Sequence, residues 1–343
     1  MSDSFKVVGA FGSPYTRKLQ AYLRYKRIPF QAISQGSVES QGLPQPRVPI
    51  IPYLIYPHSS EALTDTTPLI QRLEAEHTAR PVVPASPAVA FLNALIEDFA
   101  DEWLTKAMFH YRWNFAPDIE KAGALIPIWG DTTIAQDKRE AMSDYFSQRQ
   151  IARLYVVGSN EITGPIIEQS YERILKCLDA CLSESRFLLG AAPASCDFAV
   201  YGQLTQLACF DPTSTELAVK IAPRVVSWTQ NLDDISGLEA PPDAMHVDSL
   251  EALSNSIKAL LAEIGAGYVP VMLANYRAIR GGAELVECEV GGQLWQQPPF
   301  PYQAKCLDVL KSQYSGLPDS ARSELRAFLQ GVNCGNLVRF FEE

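Results

Sequence analysis

An apolar run that breaks at a Gly-Ser-Pro turn and resumes as a helix puts a hydroxyl where a negative charge is easiest to hold. The run is Lys6-Val7-Val8-Gly9-Ala10-Phe11 and the turn is Gly12-Ser13-Pro14. The helix continues through Leu19, Tyr22, Leu23 and Tyr25 and stops before Ile28-Pro29-Phe30. Pro14 suits the first helical position, where a missing N–H costs nothing, and Ser13 is then the cap. Free backbone N–H groups and the positive end of the helix dipole converge on its hydroxyl, which favours an anion there. The most useful anion would be a thiolate. The plain alternative is that Ser13 only caps the helix.

A second group of residues could hold opposite charges side by side. Residues 47–57 are followed by a polar turn at His58 to Ser60 and then by residues 61–74, and together they read as strand, hairpin, strand, helix. Thr66 and the N–H groups of the helix start can bind a carboxylate, while Asp65 can face an ammonium. Either residue could instead be a simple N-cap.

The order strand, turn, helix with Ser13-Pro14-Tyr15-Thr16 at the turn resembles the Cys-Pro-Tyr-Cys site of glutaredoxins with both sulfurs replaced by oxygen, so a dithiol redox cycle has no place here. What survives is thiol binding, and the segment is similar to the serine-type classes of the glutathione S-transferase family, whose motif reads Ser-Pro-aromatic after the first strand. That family also has an apolar residue and a cis-proline opening a strand, a hairpin, and an acidic residue plus Ser or Thr starting the next helix. The resemblance assigns the first pair to Ile51-Pro52 and the second to Asp65-Thr66, with Pro49 as the rival cis position at a less suitable distance from Asp65-Thr66. It implies that the residue before the proline pairs its backbone with the cysteinyl part of glutathione, as another strand would. Asp65 and Thr66 would hold the γ-glutamyl end, where both charges sit on one carbon.

Composition agrees with a soluble protein of enzyme size. With 343 residues, 47% hydrophobic and 20% charged, two or three domains are expected. A net charge of -10 argues against nucleic acid or an anionic membrane as the main partner. Met1-Ser2-Asp3 lacks the basic start of a signal peptide, no apolar run approaches the roughly 20 residues of a membrane span, and a cytoplasmic location is expected. Seven cysteines, all beyond residue 176, make a poor disulfide framework. Cys177 and Cys181 share a helix face and could ligate a metal or sense oxidants. The four histidines, at 58, 77, 110 and 246, show no paired spacing, and no metal is expected.

From about residue 86 the pattern changes from strands to helices. Ser86-Pro87 starts a helix carrying Leu92, Leu95, Ile96, Phe99, Trp103, Met108 and Tyr111, read as one long amphipathic element. Another helix is expected from about Ile166 to Glu184. Arg186 to Tyr201 then resembles the second-domain signature of the family, an apolar-Gly loop and a capping box. The match is imperfect, because the cap position three before Asp197 holds Ala194 and the hydroxyl has moved to Ser195. In this family the helix after residue 86 borders the acceptor cleft and, in dimers, the partner's glutathione site. That makes Tyr15, Trp103, Tyr111 and Trp113 candidates to line an apolar electrophile pocket, with Asp101 near the glutathione ammonium and His110 as a weaker candidate base. The alternative is that the aromatics are core and the carboxylates a solvated face.

Beyond Pro241-Pro242-Asp243 the family pattern ends, yet about a hundred residues remain. Leu250 to Ile264 and Val269 to Ile279 read as helices. Glu284 to Val290 and Gln293 to Gln297 read as strands joined at Gly291-Gly292, and two or three helices follow from Tyr302. This segment would be either an added structural or dimer-modifying layer or a lid over the cleft. The expected architecture is therefore an α/β thioredoxin-like N-terminal domain (1–80), an all-α glutathione-transferase-like domain (85–240) and a mixed, mostly helical extension (243–343). The expected activity is attack by glutathione, as co-substrate, on an apolar electrophile, in a homodimer with Ser13 stabilising the thiolate. A non-catalytic glutathione-fold binding module and a glutathione-dependent lyase or isomerase are the other readings.

Overall fold

The computed structural model describes residues 4–239 and 246–343. Met1-Ser2-Asp3 and the expected boundary at Pro241-Pro242-Asp243 lie outside the described residues. The N-terminal domain is thioredoxin-like. Strand β1 (Phe5–Gly9) is central, with Val7 and Val8 fully buried, as a strand covered on both faces requires. Helix α1 (Pro14–Tyr25) crosses over to β2 (Phe30–Ser34), which pairs parallel to β1. Strands β3 (Tyr53–Ile55) and β4 (Ala62–Thr64) add antiparallel, giving the order β2-β1-β3-β4, and helix α2 (Thr66–Glu76) follows. Tyr53 sits opposite both Val8 and Thr64. That register carries the chain beyond Gly9, the residue before Tyr53 and the residue after Thr64 to one end of the sheet.

The helical region contains α3 (Pro87–Phe99), α4 (Thr105–Asn114), α5 (Ala116–Leu125), α6 (Gln136–Ile151), α7 (Gly164–Glu184), α8 (Ser195–Leu207), α9 (Pro212–Ile221) and α10 (Pro223–Leu232). The single helix expected after Ser86 is interrupted by a π-helical turn, Ala100–Leu104, between α3 and α4. Such widened turns concentrate at functional sites. Helix α8 starts without a cap hydroxyl. Asp197 accepts from the Ala194 and Leu188 N–H groups at 2.8 and 2.9 Å, and Ser195 donates to Glu97 instead of taking over the cap.

The extension comprises α11 (Asn255–Ala266), α12 (Tyr268–Gly281), the hairpin β5 (Val286–Val290) and β6 (Gln293–Gln297), and α13 (Pro301–Ser315), α14 (Asp319–Gly331) and α15 (Gly335–Glu342). It packs on the helical region rather than standing apart. One continuous core holds Leu92, Phe99 and Tyr171 together with Leu260, Trp295 and Leu325, whereas the sheet, α1, Phe198 and Tyr201 form another. The hairpin alternates as expected, Val286 and Val290 buried and Glu287 and Glu289 exposed. Contrary to the expectation of no span-length apolar run, Asn255–Gly281 is long and apolar enough by length and composition to cross a membrane, but most of it is buried inside the protein.

Candidate functional site

The end of the sheet selected by the strand register gathers Ser13, Ile51-Pro52 and Asp65-Thr66. Ser13 is the N-cap of α1 and its Oγ accepts from the Thr16 N–H at 3.2 Å. The oxygen is thus engaged as an acceptor while its own proton remains to be donated. Thr16 Oγ1 in turn accepts from the Ala10 N–H at 3.3 Å, so the Ser13 and Thr16 hydroxyls both brace the turn. A Cβ on Gly9 would lie 2.4 Å from Thr16 Oγ1, which is why this strand ends in glycine.

The turn is also held from the helical region. Arg112 donates to the Gly12 carbonyl at 3.0 Å and Gln206 to the Phe11 carbonyl at 3.2 Å. Arg112 is itself fixed by Asp211 through Nε at 2.9 Å and Nη2 at 2.9 Å, and by Gln206 Oε1 at 2.7 Å. All three side chains are buried. Helix α1 can approach α8 this closely because residue 202 is glycine, where a Cβ would meet the Pro14 carbonyl oxygen at 2.5 Å.

Across the site the Ile51–Pro52 peptide is cis, which answers the choice between Pro49 and Pro52. Thr66 is buried at the start of α2. Asp65 precedes it with φ +74 and makes no side-chain cap bond to the helix. Its carboxylate instead accepts from the Tyr302 hydroxyl at 2.7 Å, a contact with the extension that nothing in the local sequence announced.

Beneath these residues lies a buried charge network. Lys18 Nζ donates to Glu97 at 2.7 Å, Asp101 at 2.6 Å and Thr67 Oγ1 at 3.1 Å. Burial would lower the Lys18 pKa, but the Asp101 and Glu97 carboxylates overcome it and keep the ammonium charged. For Glu97 burial opposes ionisation and Lys18 prevails, holding its pKa below the ordinary value. For Asp101 burial prevails and pushes it up to about 6, and its Oδ1 has no hydrogen-bond partner among the described residues. Burial likewise pushes Asp98 up to about 7 and Glu102 up to about 8. The carboxylates between residues 97 and 102 are therefore not a solvated face. Asp98 accepts from Tyr268, and Asp101 is committed to Lys18 of its own chain.

The aromatic candidates need correction. Trp103 is buried, donates from Nε1 to Ser170 Oγ at 2.9 Å, and packs 5.3 Å from Trp295. Tyr111 is buried and stacks on Phe115 at 5.3 Å, while Trp113 is buried between Phe109 and Phe146. These three are core aromatics and do not line an open acceptor pocket. Tyr15 is a strut, its hydroxyl donating to the Asp101 carbonyl at 2.8 Å and lying 3.3 Å from Thr105 Oγ1. His110 is buried between Ser159 at 2.8 Å and Glu168 at 3.2 Å, and burial lowers its pKa, so both ring nitrogens are engaged in structural contacts. Cys181 is buried and pushed up to about 12, a thiol on the core face of α7. Two residues before Ser13, Phe11 is 51% exposed and meets Trp129 edge-on at 5.4 Å. Trp129 covers Gly12 so closely that a Cβ there would fall 2.2 Å from its ring.

Residues 7–81 match the family model described as glutathione S-transferase, N-terminal domain. No curated protein matches the chain. Among solved structures, a GST-like protein from Pseudomonas syringae is 16% identical, with 67% of each chain covered and a TM-score of 0.42. The Tau class glutathione S-transferase of mango, Mangifera indica, is 16% identical over 76% of this chain and 97% of its own, with a TM-score of 0.41. A glutathione S-transferase from Methylobacterium radiotolerans, in complex with glutathione sulfonate, is 16% identical over 72% and 97%, with a TM-score of 0.42.

Proposed function

We infer that this chain, which belongs to the glutathione S-transferase family through its N-terminal domain, binds glutathione at the end of its sheet and activates the thiol for attack on an apolar electrophile. The observation that carries this is Ser13, whose oxygen accepts from the helix while its proton is left to donate. A hydroxyl proton and a helix N-terminus together favour the thiolate over the thiol. From an ordinary thiol pKa of about 8.5, each unit of lowering corresponds to about 1.4 kcal/mol of selective stabilisation. Ile51 would present backbone beside the cis-proline, and Asp65 and Thr66 would receive the charged γ-glutamyl end. Phe11 and Trp129 supply the apolar surface beside the nucleophile.

A homodimer in a reducing, cytoplasmic setting belongs to the same proposal. Seven unpaired cysteines suit that setting. The face of α3 is occupied by the chain's own extension, through Phe91 against Tyr314 and Phe341 and through Phe99 against Tyr268. A two-fold contact would therefore use a different surface, which light scattering with cross-linking would locate. Calorimetry with glutathione, followed by a generic conjugation assay with an aromatic electrophile, tests the function. Binding with turnover is expected. Binding without generic turnover would favour a specific lyase or isomerase, and no binding would favour a non-catalytic module and overturn the proposal.

A further inference from the structure

We propose that Tyr302 is a positioning residue of the ligand site, supplied by the extension, which holds the Asp65 carboxylate for the ammonium of the γ-glutamyl group. The assignment rests on the glutathione-binding function proposed above.

The backbone of Asp65 gives the first reason. An N-cap aspartate ordinarily has an extended backbone and turns its carboxylate onto the N–H groups of its own helix. Asp65 does neither, having φ +74 and no cap bond to α2. A non-glycine residue held in the left-handed region carries a conformational cost that persists only where the surroundings impose it, typically at binding sites. What the side chain gains is the Tyr302 hydroxyl at 2.7 Å. A carboxylate has acceptor capacity for more than one donor, so the bond leaves room for an ammonium.

The way Tyr302 is mounted gives the second reason. It stands on the first turn of α13, next to Pro301 at the helix start. Before it, Phe300 is clamped to the fully buried Asn275, donating from N to Oδ1 at 2.7 Å and accepting from Nδ2 at 2.9 Å. After it, the buried Gln303 donates to the Glu102 carbonyl at 3.3 Å, within the π-helical turn. Tyr302 itself is 42% exposed, so an anchored backbone presents a side chain that is not needed for the core. Burial and the neighbouring Asp65 both raise its pKa, which keeps the hydroxyl a donor. The extension is thereby part of the site, as a wall rather than a distant layer.

The experiment is calorimetric titration of the full chain with glutathione in wild type, Tyr302→Phe, Asp65→Asn and the double variant, with thermal melts and bound-thiol titrations alongside. Tyr302→Phe should keep the melting temperature and the bound-thiol pKa and weaken affinity roughly 10-fold, the effect of one hydrogen bond to a charged group. In the Asp65→Asn background the same change should add less than about 2-fold, because a residue that acts through Asp65 couples to it. Unchanged or tighter binding in Tyr302→Phe, or losses that simply multiply in the double variant, overturns the assignment while leaving the glutathione site standing. Failure of the wild type to bind glutathione overturns both.

Discussion

Arg112 donates to the Gly12 carbonyl at 3.0 Å while its other nitrogens are committed to Asp211 and Gln206, so the turn that carries Ser13 is aimed by a helix a hundred residues further along the chain. A guanidinium is suited to this because its donors form a rigid fork, which a lysine could not reproduce.

Arg112→Ala should leave Asp211 as a buried carboxylate without its partner. Breaking one side of a buried pair costs about 3–5 kcal/mol, so the variant should lose roughly that in urea denaturation. Arg112→Lys should recover only part of it. A wild-type unfolding midpoint in both variants would show that the pair does not hold the turn.

Ser13→Ala removes a cap and the donor to the sulfur together. The cap accounts for about 1 kcal/mol of stability. Conjugation should slow by roughly 10²-fold or more, as loss of one preorganised donor commonly does. The bound-thiol pKa, followed by thiolate absorbance, should rise. An unchanged titration curve would remove Ser13 from the mechanism.

Stability should fall as pH rises through the neutral range. Asp101 is pushed up to about 6 by burial, Asp98 and Asp197 to about 7, and Glu102 to about 8. Unfolded aspartate and glutamate titrate near 4, so the folded chain holds protons that the unfolded chain has already released. That stabilisation is complete below about pH 4 and is lost progressively above it, the loss ending for each carboxyl at its folded value, between about pH 6 and pH 8. Lys106, which burial pushes down to about 8, acts with the opposite sign and returns stability at higher pH. Melting temperatures at pH 5.5 should exceed those at pH 8.0 by several degrees, and a flat or rising profile would contradict the protonation states described for the network.

A fragment ending at Asp243 should melt well below the full chain, because Phe91, Phe99 and Trp103 would lose Phe341, Tyr268 and Trp295 from the shared core. Differential scanning calorimetry of the fragment is the check. A melting temperature equal to that of the full chain would make the extension an independent appendage.

Much of this site was legible because its motifs are local. Ser13-Pro14 announces a capped helix, and the distance from Pro52 to Asp65-Thr66 is one hairpin, so their convergence follows from strand pairing alone. Lys18, Thr67, Arg112 and Tyr302 were not legible. Their partners lie from 30 to 237 residues away, and nothing in a helical repeat says which buried position holds a charge. Trp103, Tyr111 and Trp113 were misplaced for a related reason. Periodicity identifies the apolar side of a helix but does not say whether that side faces a cleft or a packed core. Helix α6 escaped notice because none of its residues is fully buried, which leaves little apolar rhythm to read.

The separation into two cores decides where the molecule would breathe. Native-state opening should part the sheet and α1 from the core shared by bundle and extension at a seam along α8, which gives Phe198 and Tyr201 to the first and Val200 and Leu204 to the second, and should spare the junction of bundle and extension. A ligand touching Ser13 on one side of that seam and the Asp65–Tyr302 pair that bridges it would act as a suture. Glutathione should then slow amide exchange in β1 and α1 more than in α12, and equal protection of all three would mean that the seam is already shut.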